Sequence, residues 1–397
     1  MNILFSSTTC SNCEYEKIQS FKFTEKLSPS QKYFDMFLHG IKAHKNVLVN
    51  CISARAIAHS NSKKKFLVSK RELVDDIVYQ YIPIINFRIL RNVLNVFFGF
   101  IYSFKEISKI KNKKDVFFIS DPLAFEVTLG TLLATKLFKI KNCAIITDLP
   151  TFMVQINKDG KGVSVLKRIK SFFINLLIDS FDSYVFLTKS MNFINKKNKP
   201  YVIIEGMTYS SDQPITSNHI DNNVMLYAGG LYEQFGIKKL IDAAKNVKIP
   251  NFELHLYGEG NCIDFIHGIS QKFPNIKYMG TLTLDKILEK ETKAKVLINP
   301  RPSTEKFTEY SFPSKTIEYM SAARPVLTTP LKGIPDEYHK YLLFIQDESL
   351  TGFTKCIEKV LSIDVNVLDK IGLESSKFVH EEKNAKKATE KIFNLWN

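Results

Sequence analysis

The 397-residue sequence contains no uninterrupted apolar run that approaches the roughly 18 residues a spanning helix needs. Its first six residues are apolar but follow no basic residue, so they do not have the form of a secretory signal. A chain with neither feature is expected to be made and kept in the cytosol. Cysteine is sparse and scattered, at positions 10, 13, 51, 143, 262 and 356. Only Cys10 and Cys13 lie close together, with no second pair and no histidine at ligand spacing, which argues against a zinc site. Two reduced thiols in a loop after the first strand is the expected arrangement, with a redox pair as the alternative. No Asp-X-Asp pair follows a strand pattern, so no metal-held diphosphate is expected. No tandem repeat runs through the chain.

Acidic residues are scarce in one half only. Residues 1–200 hold 31 Lys+Arg against 15 Asp+Glu, a net charge of +16, whereas residues 201–397 hold 24 against 25. Solubility alone does not sort charge this way. A basic half suggests an anionic partner, such as nucleic acid, anionic lipid or a phosphorylated substrate. No nucleic-acid-binding motif accompanies the charge.

At 45% apolar residues, the chain can build a core in each of two domains of ordinary size. Short apolar runs alternate with helical patterns throughout. Strands are predicted at 3–6, 46–50, 76–82, 115–119, 142–146 and 183–187, then at 223–227, 253–257, 275–279 and 295–299. Helices are predicted at 29–44, 125–137 and 165–178. This alternation implies an α/β fold with parallel sheets covered by helices, which binds ligands beyond the carboxyl ends of its strands. The polar, proline-containing stretch 209–222 reads as a linker or long loop.

Several constellations could carry chemistry. The stretch Phe312-Pro313-Ser314-Lys315-Thr316 opens a helix, with Pro313 suited to its first turn. Free amides and the positive end of the helix dipole make such a start an anion site, and Lys315 adds a charge. Glu318, one turn deeper, could accept the hydroxyls of a ribose. A plain helix start with a surface Lys–Glu pair accounts for the same residues. Gly229 and Gly230 follow a strand pattern, as do Tyr257 and Gly258, and both places allow a backbone to approach a ligand closely; tight turns read equally well. His255, inside a strand pattern, is expected in the core. Asp148, before Leu149-Pro150, lies at the end of a strand, where it is either an active-site carboxylate or the opening of a turn. Residues 88–104 are rich in Leu, Val, Ile and Phe and precede Lys105, Lys109, Lys111, Lys113 and Lys114. A second basic cluster comprises Lys63, Lys64, Lys65, Lys70 and Arg71. Apolar surface beside lysines suits an anionic bilayer, and a buried helix leading to a solvated loop is the alternative.

The stretch YSFPSKTIEYMSAARPV, residues 310–326, resembles the retaining glycosyltransferases of glycosyltransferase family 4, and its helix start is similar to that of the capsular and exopolysaccharide members. Ser30-Gln31-Lys32, Asp148-Leu149-Pro150, Glu205-Gly206-Met207, residues 229–236 and 257–260 follow in matching order. The resemblance implies a GT-B fold of two Rossmann-like domains: an acceptor-binding domain at 1–207, a nucleotide-sugar domain at 208–375 and a C-terminal helix at 376–397 that crosses back. It implies donor binding by Gly229, Gly230, Tyr257, Gly258, Arg301, Phe312, Pro313, Ser314, Lys315, Thr316 and Glu318. It likewise implies catalytic roles for Asp148, Glu309 and Lys315, acceptor contacts at Ser30, Gln31 and Lys32, and no metal or cofactor. The nucleotide-sugar, for example a UDP-sugar, would be a substrate.

Three positions depart from the family pattern. Tyr310 occupies the place of its first glutamate, with Glu309 beside it. Gly230 and Phe235 stand where many members carry an Arg and a Lys, and Ala323 replaces a glycine. The expected function is transfer of a sugar to a lipid-diphosphate-linked acceptor in surface polysaccharide synthesis, on the inner face of the cytoplasmic membrane. An inactive partner subunit and a nucleotide-sugar epimerase are the alternatives.

Overall fold

The computed structural model describes residues 1–23, 29–57, 61–62, 64–150, 165–209 and 223–396. The chain divides into two compact units, Met1–Tyr209 with Ala385–Asn397, and Ser210–Asn384. Each is an α/β unit built on a largely parallel sheet, as the alternation of strands and helices implies, and the two are the Rossmann-like domains that the resemblance implies. Of the stretch read as a linker, residues 210–222 lie outside the described residues.

In the first unit the strands are β1 (Asn2–Ser7), β2 (Leu48–Ser53), β3 (Phe66–Leu67), β4 (Lys70–Val74), β5 (Ile77–Tyr81), β6 (Ile84–Ile85), β7 (Val116–Ser120), β8 (Asn142–Ile146), β9 (Ser183–Phe186) and β10 (Tyr201–Ile203). The helices are α1 (Asn12–Gln19), α2 (Pro29–Lys42), α3 (Arg88–Lys109), α4 (Phe125–Leu137) and α5 (Val165–Ile178). The main sheet has the order β10-β9-β8-β7-β1-β2-β5-β4, with β3 and β6 in a separate antiparallel pair. Every pairing in the main sheet is parallel except β4 with β5. Every residue of β7, β8 and β9 is buried, as a parallel sheet covered on both faces requires.

The predicted strand at 46–50 begins instead at Leu48, because Asn46 turns the chain with φ of 61°. The edge strand β4 went unpredicted because its sequence, KRELV, has the composition of a charged loop. Pairing with β5 and two ion-pair networks hold it in place. Helices α3 and α4 pack against each other at Gly130, where an added Cβ would lie 2.1 Å from the Val96 carbonyl oxygen.

The second unit holds β11 (Val224–Ala228), β12 (Glu253–Tyr257), β13 (Ile276–Tyr278), β14 (Val296–Asn299), β15 (Val326–Thr328) and β16 (Leu343–Phe344). All pair in parallel in the order β13-β12-β11-β14-β15-β16. Its helices are α6 (Ile237–Ala244), α7 (Ile263–Ser270), α8 (Leu284–Lys293), α9 (Ser314–Ser321), α10 (Leu350–Leu361) and α11 (Val365–Glu382). A last helix, α12 (Ala385–Phe393), belongs to the first unit and packs on α2. Beyond it, Trp396 stacks on Phe117 at 4.2 Å.

Candidate functional site

Adjacent strands of the second sheet bring most of the expected donor residues to one edge. Strands β12, β11 and β14 lie side by side and parallel, so their carboxyl ends share an edge. Tyr257-Gly258 closes β12, Gly229-Gly230 follows β11, and Arg301 comes two residues after β14. The turns after β11 and β12 touch. Gly258 has φ of +126°, and a Cβ there would stand 1.9 Å from the Gly229 carbonyl oxygen. Glycine is therefore required at 258 both by its backbone and by the space.

Helix α9 packs on β14 and β15. Buried Tyr319 fastens it to the end of β11: its hydroxyl accepts from the Ala228 amide at 2.8 Å and donates to the Ala228 carbonyl at 3.1 Å. Pro313 caps the helix in an extended conformation without a side-chain cap bond. The Thr316 amide donates to the Pro313 carbonyl at 2.8 Å, whereas the amides of Ser314 and Lys315 have no preceding turn to accept their hydrogen bonds, and that end carries the positive pole of the dipole.

The cations at this edge differ. Lys315 Nζ is 2.6 Å from Glu318 Oε1. Burial opposes the Lys315 charge, but the carboxylates of Glu318 and of buried Glu291 outweigh it and hold the ammonium above its usual range. Lys315 is therefore paired within its own helix, the Lys–Glu pair that the sequence also allowed. The Arg301 guanidinium instead lies against aromatic rings, 4.8 Å from the Phe235 centroid and 5.6 Å from that of Phe307. Burial depresses its pKa, with Tyr227 acting in the opposite sense. No carboxylate pairs with Arg301 among the described residues. Its Nε, the Nδ2 of Asn299 and the Oγ1 of Thr316 are buried without a hydrogen-bond partner among the described residues. Phe235, at the place of a family lysine, thus serves as a platform for an arginine from another strand.

The remaining expected residues of this unit have other surroundings. Phe312 is buried against Tyr338, with ring centroids 5.5 Å apart. Glu309 faces Lys332 at 3.9 Å, and Tyr310 follows the same 3-10 turn. Ala323 adopts φ of 55°, a left-handed conformation that suits glycine, so this departure carries a backbone cost. His255, expected in the core, is only partly buried and bonds Glu253 at 2.6 Å.

In the first unit, Asp148 lies just beyond β8, and desolvation pushes its carboxyl up to about 6. Next to it in strand order, Asp121 follows β7 and is buried. Burial, with the Asp148 charge adding to it, raises Asp121 to about 7 although it accepts a bond from the Leu123 amide. The reading of the sequence passed over Asp121. Its signal was an Asp-Pro directly after an apolar run, similar to Asp148-Leu149-Pro150.

Gln31 is buried and braces the turn after β1. Its Oε1 accepts from Thr9 Oγ1 at 2.9 Å and the Cys10 amide at 3.1 Å, and its Nε2 donates to the Cys10 carbonyl at 2.6 Å. Ser30 is exposed and Lys32 half-buried beside it. Cys10 is buried with its thiol pushed up to about 12 by burial, which suits a thiol rather than a thiolate. Cys13 is not in a loop as expected but on α1.

Two surface expectations need correction. Helix α3 is not a buried helix, because Ile89 (79%), Val93 (60%), Phe97 (53%) and Phe104 are exposed. Helix α5 likewise exposes Val165, Ile169, Phe172, Phe173 and Leu176. The second basic cluster is partly neutralised: Lys70 pairs with Glu14 and Glu72, and Arg71 pairs with Glu106. Lys63 lies outside the described residues, while Lys64, Lys65, Lys105, Lys111 and Lys114 are exposed. No described helix is long and apolar enough to cross a membrane.

Residues 222–362 match the family model described as Glycosyl transferases group 1. An uncharacterized glycosyltransferase of Methanocaldococcus jannaschii is 27% identical over 142 residues, 35% of this chain and 37% of that protein, so the match spans little more than a third of the relative. The fold is shared with solved structures of low identity. Sucrose-phosphate synthase from Thermosynechococcus elongatus superposes with a TM-score of 0.69 at 12% identity, covering 100% of this chain and 98% of that one. The UDP-forming α,α-trehalose-phosphate synthase of Burkholderia xenovorans, solved with glucose-6-phosphate, gives 0.62 at 9% identity, covering 100% of both. Anabaena HepE, solved with UDP, gives 0.58 at 10% identity, covering 99% of both. These likenesses identify the fold as GT-B.

Proposed function

We propose that this chain is a glycosyltransferase that takes a sugar from a nucleoside diphosphate in its second unit and delivers it to an acceptor bound by its first. One observation carries the reading. The start of α9, Arg301 and the turns after β11 and β12 share the carboxyl edge of one parallel sheet, and Asn299, Arg301 and Thr316 contribute buried polar atoms that lack partners among the described residues. A donor diphosphate supplies acceptors for Arg301 and for the amides of Ser314 and Lys315 at the helix start. Glu318 would accept ribose hydroxyls. As the glycosidic bond to the diphosphate breaks, negative charge grows on the leaving oxygen, and donors fixed beforehand stabilise it. Arg301 is the principal cation in this scheme and Lys315 a secondary one. The UDP named with several structural neighbours supports a uridine donor.

Retention of configuration rests on the resemblance at residues 310–326. A lipid-diphosphate-linked acceptor in surface polysaccharide synthesis, and residence on the inner face of the membrane, draw support from the apolar faces of α3 and α5 beside exposed lysines. Asp148 and Asp121, on the carboxyl edge of the first sheet, are the carboxylates we assign to the acceptor hydroxyl that reacts. A partner subunit without catalysis remains the second reading, favoured by Tyr310 and by the Lys315–Glu318 pair. A screen of nucleotide-sugars with the purified full chain, in chelator, tests both readings. Binding with slow donor hydrolysis supports the enzyme, binding without turnover under any acceptor supports the partner subunit, and no binding refutes the donor site.

A further inference from the structure

A cavity of about 230 Å³ opens in the first unit, lined by Thr8, Ala54, Arg55, Arg91, Asn95 and Glu126 among others. The turns after β1 and β2 and the beginning of α4, which follows β7, all reach it. It therefore lies on the carboxyl edge of three neighbouring strands, with the first turns of α3 as its wall. Ligands of such sheets bind at that edge. The contact of α3 with α4 at Gly130 holds the wall close.

The polar groups of the cavity are unequally satisfied. Arg55 forms an ion pair with Glu14 at 3.1 Å, and both side chains are 2% exposed. Arg55 also donates to the Val68 and Ile82 carbonyls, so its charge is matched within the fold. Its backbone nonetheless sits at φ of 25°, a conformation that costs energy in a non-glycine residue and that accumulates at ligand sites. Arg91 differs. It donates to the Ile57 carbonyl and to Asn92 Oδ1, but no carboxylate pairs with it among the described residues. The Nε atoms of Arg91 and Arg55 and the Oδ1 of Asn95 are buried without a partner among the described residues, and Asn95 is 7% exposed. Glu126 adds a carboxylate whose ion-pair partner, Lys170, stands 3.7 Å away.

Unmatched donors on a cation call for an anion. The unmatched acceptor on Asn95, with the Glu126 carboxylate on the same lining, calls for hydroxyl donors, which a bare phosphate or carboxylate lacks. A sugar ring bearing one acidic group supplies both, and the cavity has room for a single ring. We propose that this cavity seats an acidic sugar of the acceptor, with its phosphate or carboxylate at Arg91 and its hydroxyls at Asn95 and Glu126. The assignment of the first unit to the acceptor rests on the function proposed above, whereas the chemistry of the cavity does not.

Calorimetric titration of the full chain with glucose 6-phosphate, glucuronate, glucose and inorganic phosphate tests the proposal. One of the two acidic sugars should bind at least about tenfold more tightly than glucose, and the tighter of the two distinguishes phosphate from carboxylate. Arg91→Gln should remove that preference, a loss of about tenfold to hundredfold for a bond to a charged group. Arg91→Lys should restore part of it, and thermal melts establish that both variants are folded. Glucose binding as tightly as the acidic sugars, no acidic sugar binding, or an unchanged preference in Arg91→Gln would each overturn the proposal. Inorganic phosphate binding as tightly as glucose 6-phosphate would reduce the cavity to a bare anion site and overturn it as well. A parallel titration with UDP separates the two readings: UDP binding without acidic-sugar binding sinks this proposal alone, and the converse sinks only the donor site.

Discussion

Replacing Arg301 by glutamine removes the one cation at the donor edge that no carboxylate of the described residues neutralises, while keeping a flat polar end. Its Nε is buried without a partner among the described residues, so a diphosphate oxygen would complete it. A hydrogen bond to a charged group is worth about 1.5–3 kcal/mol, and nucleoside diphosphate affinity should fall roughly tenfold to hundredfold. The fold itself should change little. Losing the contacts with Phe235 and Phe307 costs about 1 kcal/mol, and removing a charge whose burial is unfavourable acts in the opposite direction. The melting temperature without ligand should therefore stay within about 2–4 °C of the parent. Lys315→Ala, made alongside, should weaken binding less, because Lys315 is already paired with Glu318 at 2.6 Å. Calorimetry with UDP in chelator and thermal melts with and without UDP provide both readouts. Unchanged UDP affinity in Arg301→Gln, or a melt lowered by many degrees with affinity retained, would show that Arg301 only packs the loop.

Other expectations follow from particular contacts. Gly258→Ala, which sets a Cβ against the Gly229 carbonyl at a positive φ, should lower stability by about 2–4 kcal/mol in a denaturant melt and abolish UDP binding. Gly130→Ala should cost about 1–3 kcal/mol by forcing α3 from α4, with donor affinity in the other unit unchanged. Asp121 is raised above its unfolded value to about 7, so its folded form binds the extra proton and stability is lost as the pH rises from about 4 to about 7. Asp121→Asn should flatten that slope and stabilise the protein at pH 8, as chemical denaturation across pH will show. Vesicles carrying anionic lipid should float the protein at low salt and release it as salt rises, since exposed lysines contribute ~1 kcal/mol each. Phe97→Ser with Phe172→Ser should reduce flotation without changing UDP affinity.

Much of the donor edge was legible in the sequence because its signals are local. A proline at a helix start, a glycine pair after an apolar run and a lysine one turn before a glutamate each report on backbone geometry within a few residues. Strands buried on every residue, such as β8 and β11, read as short apolar runs for the same reason. Local pattern failed where a partner distant in sequence decided the outcome. The strand KRELV gave no apolar signal, and only β5 and the carboxylates of Glu14 and Glu106 make it a strand. Helix α3 looked apolar all round, and periodicity could not say which of those side chains the core would leave outside.

The sequence by itself determined the α/β class, the basic first half, the helix start at Pro313 and the turns at Gly229 and Gly258, since these follow from composition and short-range sterics. Tertiary structure alone decided which charges remain available. It set Arg301 against two aromatic rings and matched Arg55 to Glu14 while leaving Arg91 without a carboxylate among the described residues. Charge is additive along a sequence, but its effect depends on distance and solvent, and strand order fixes both.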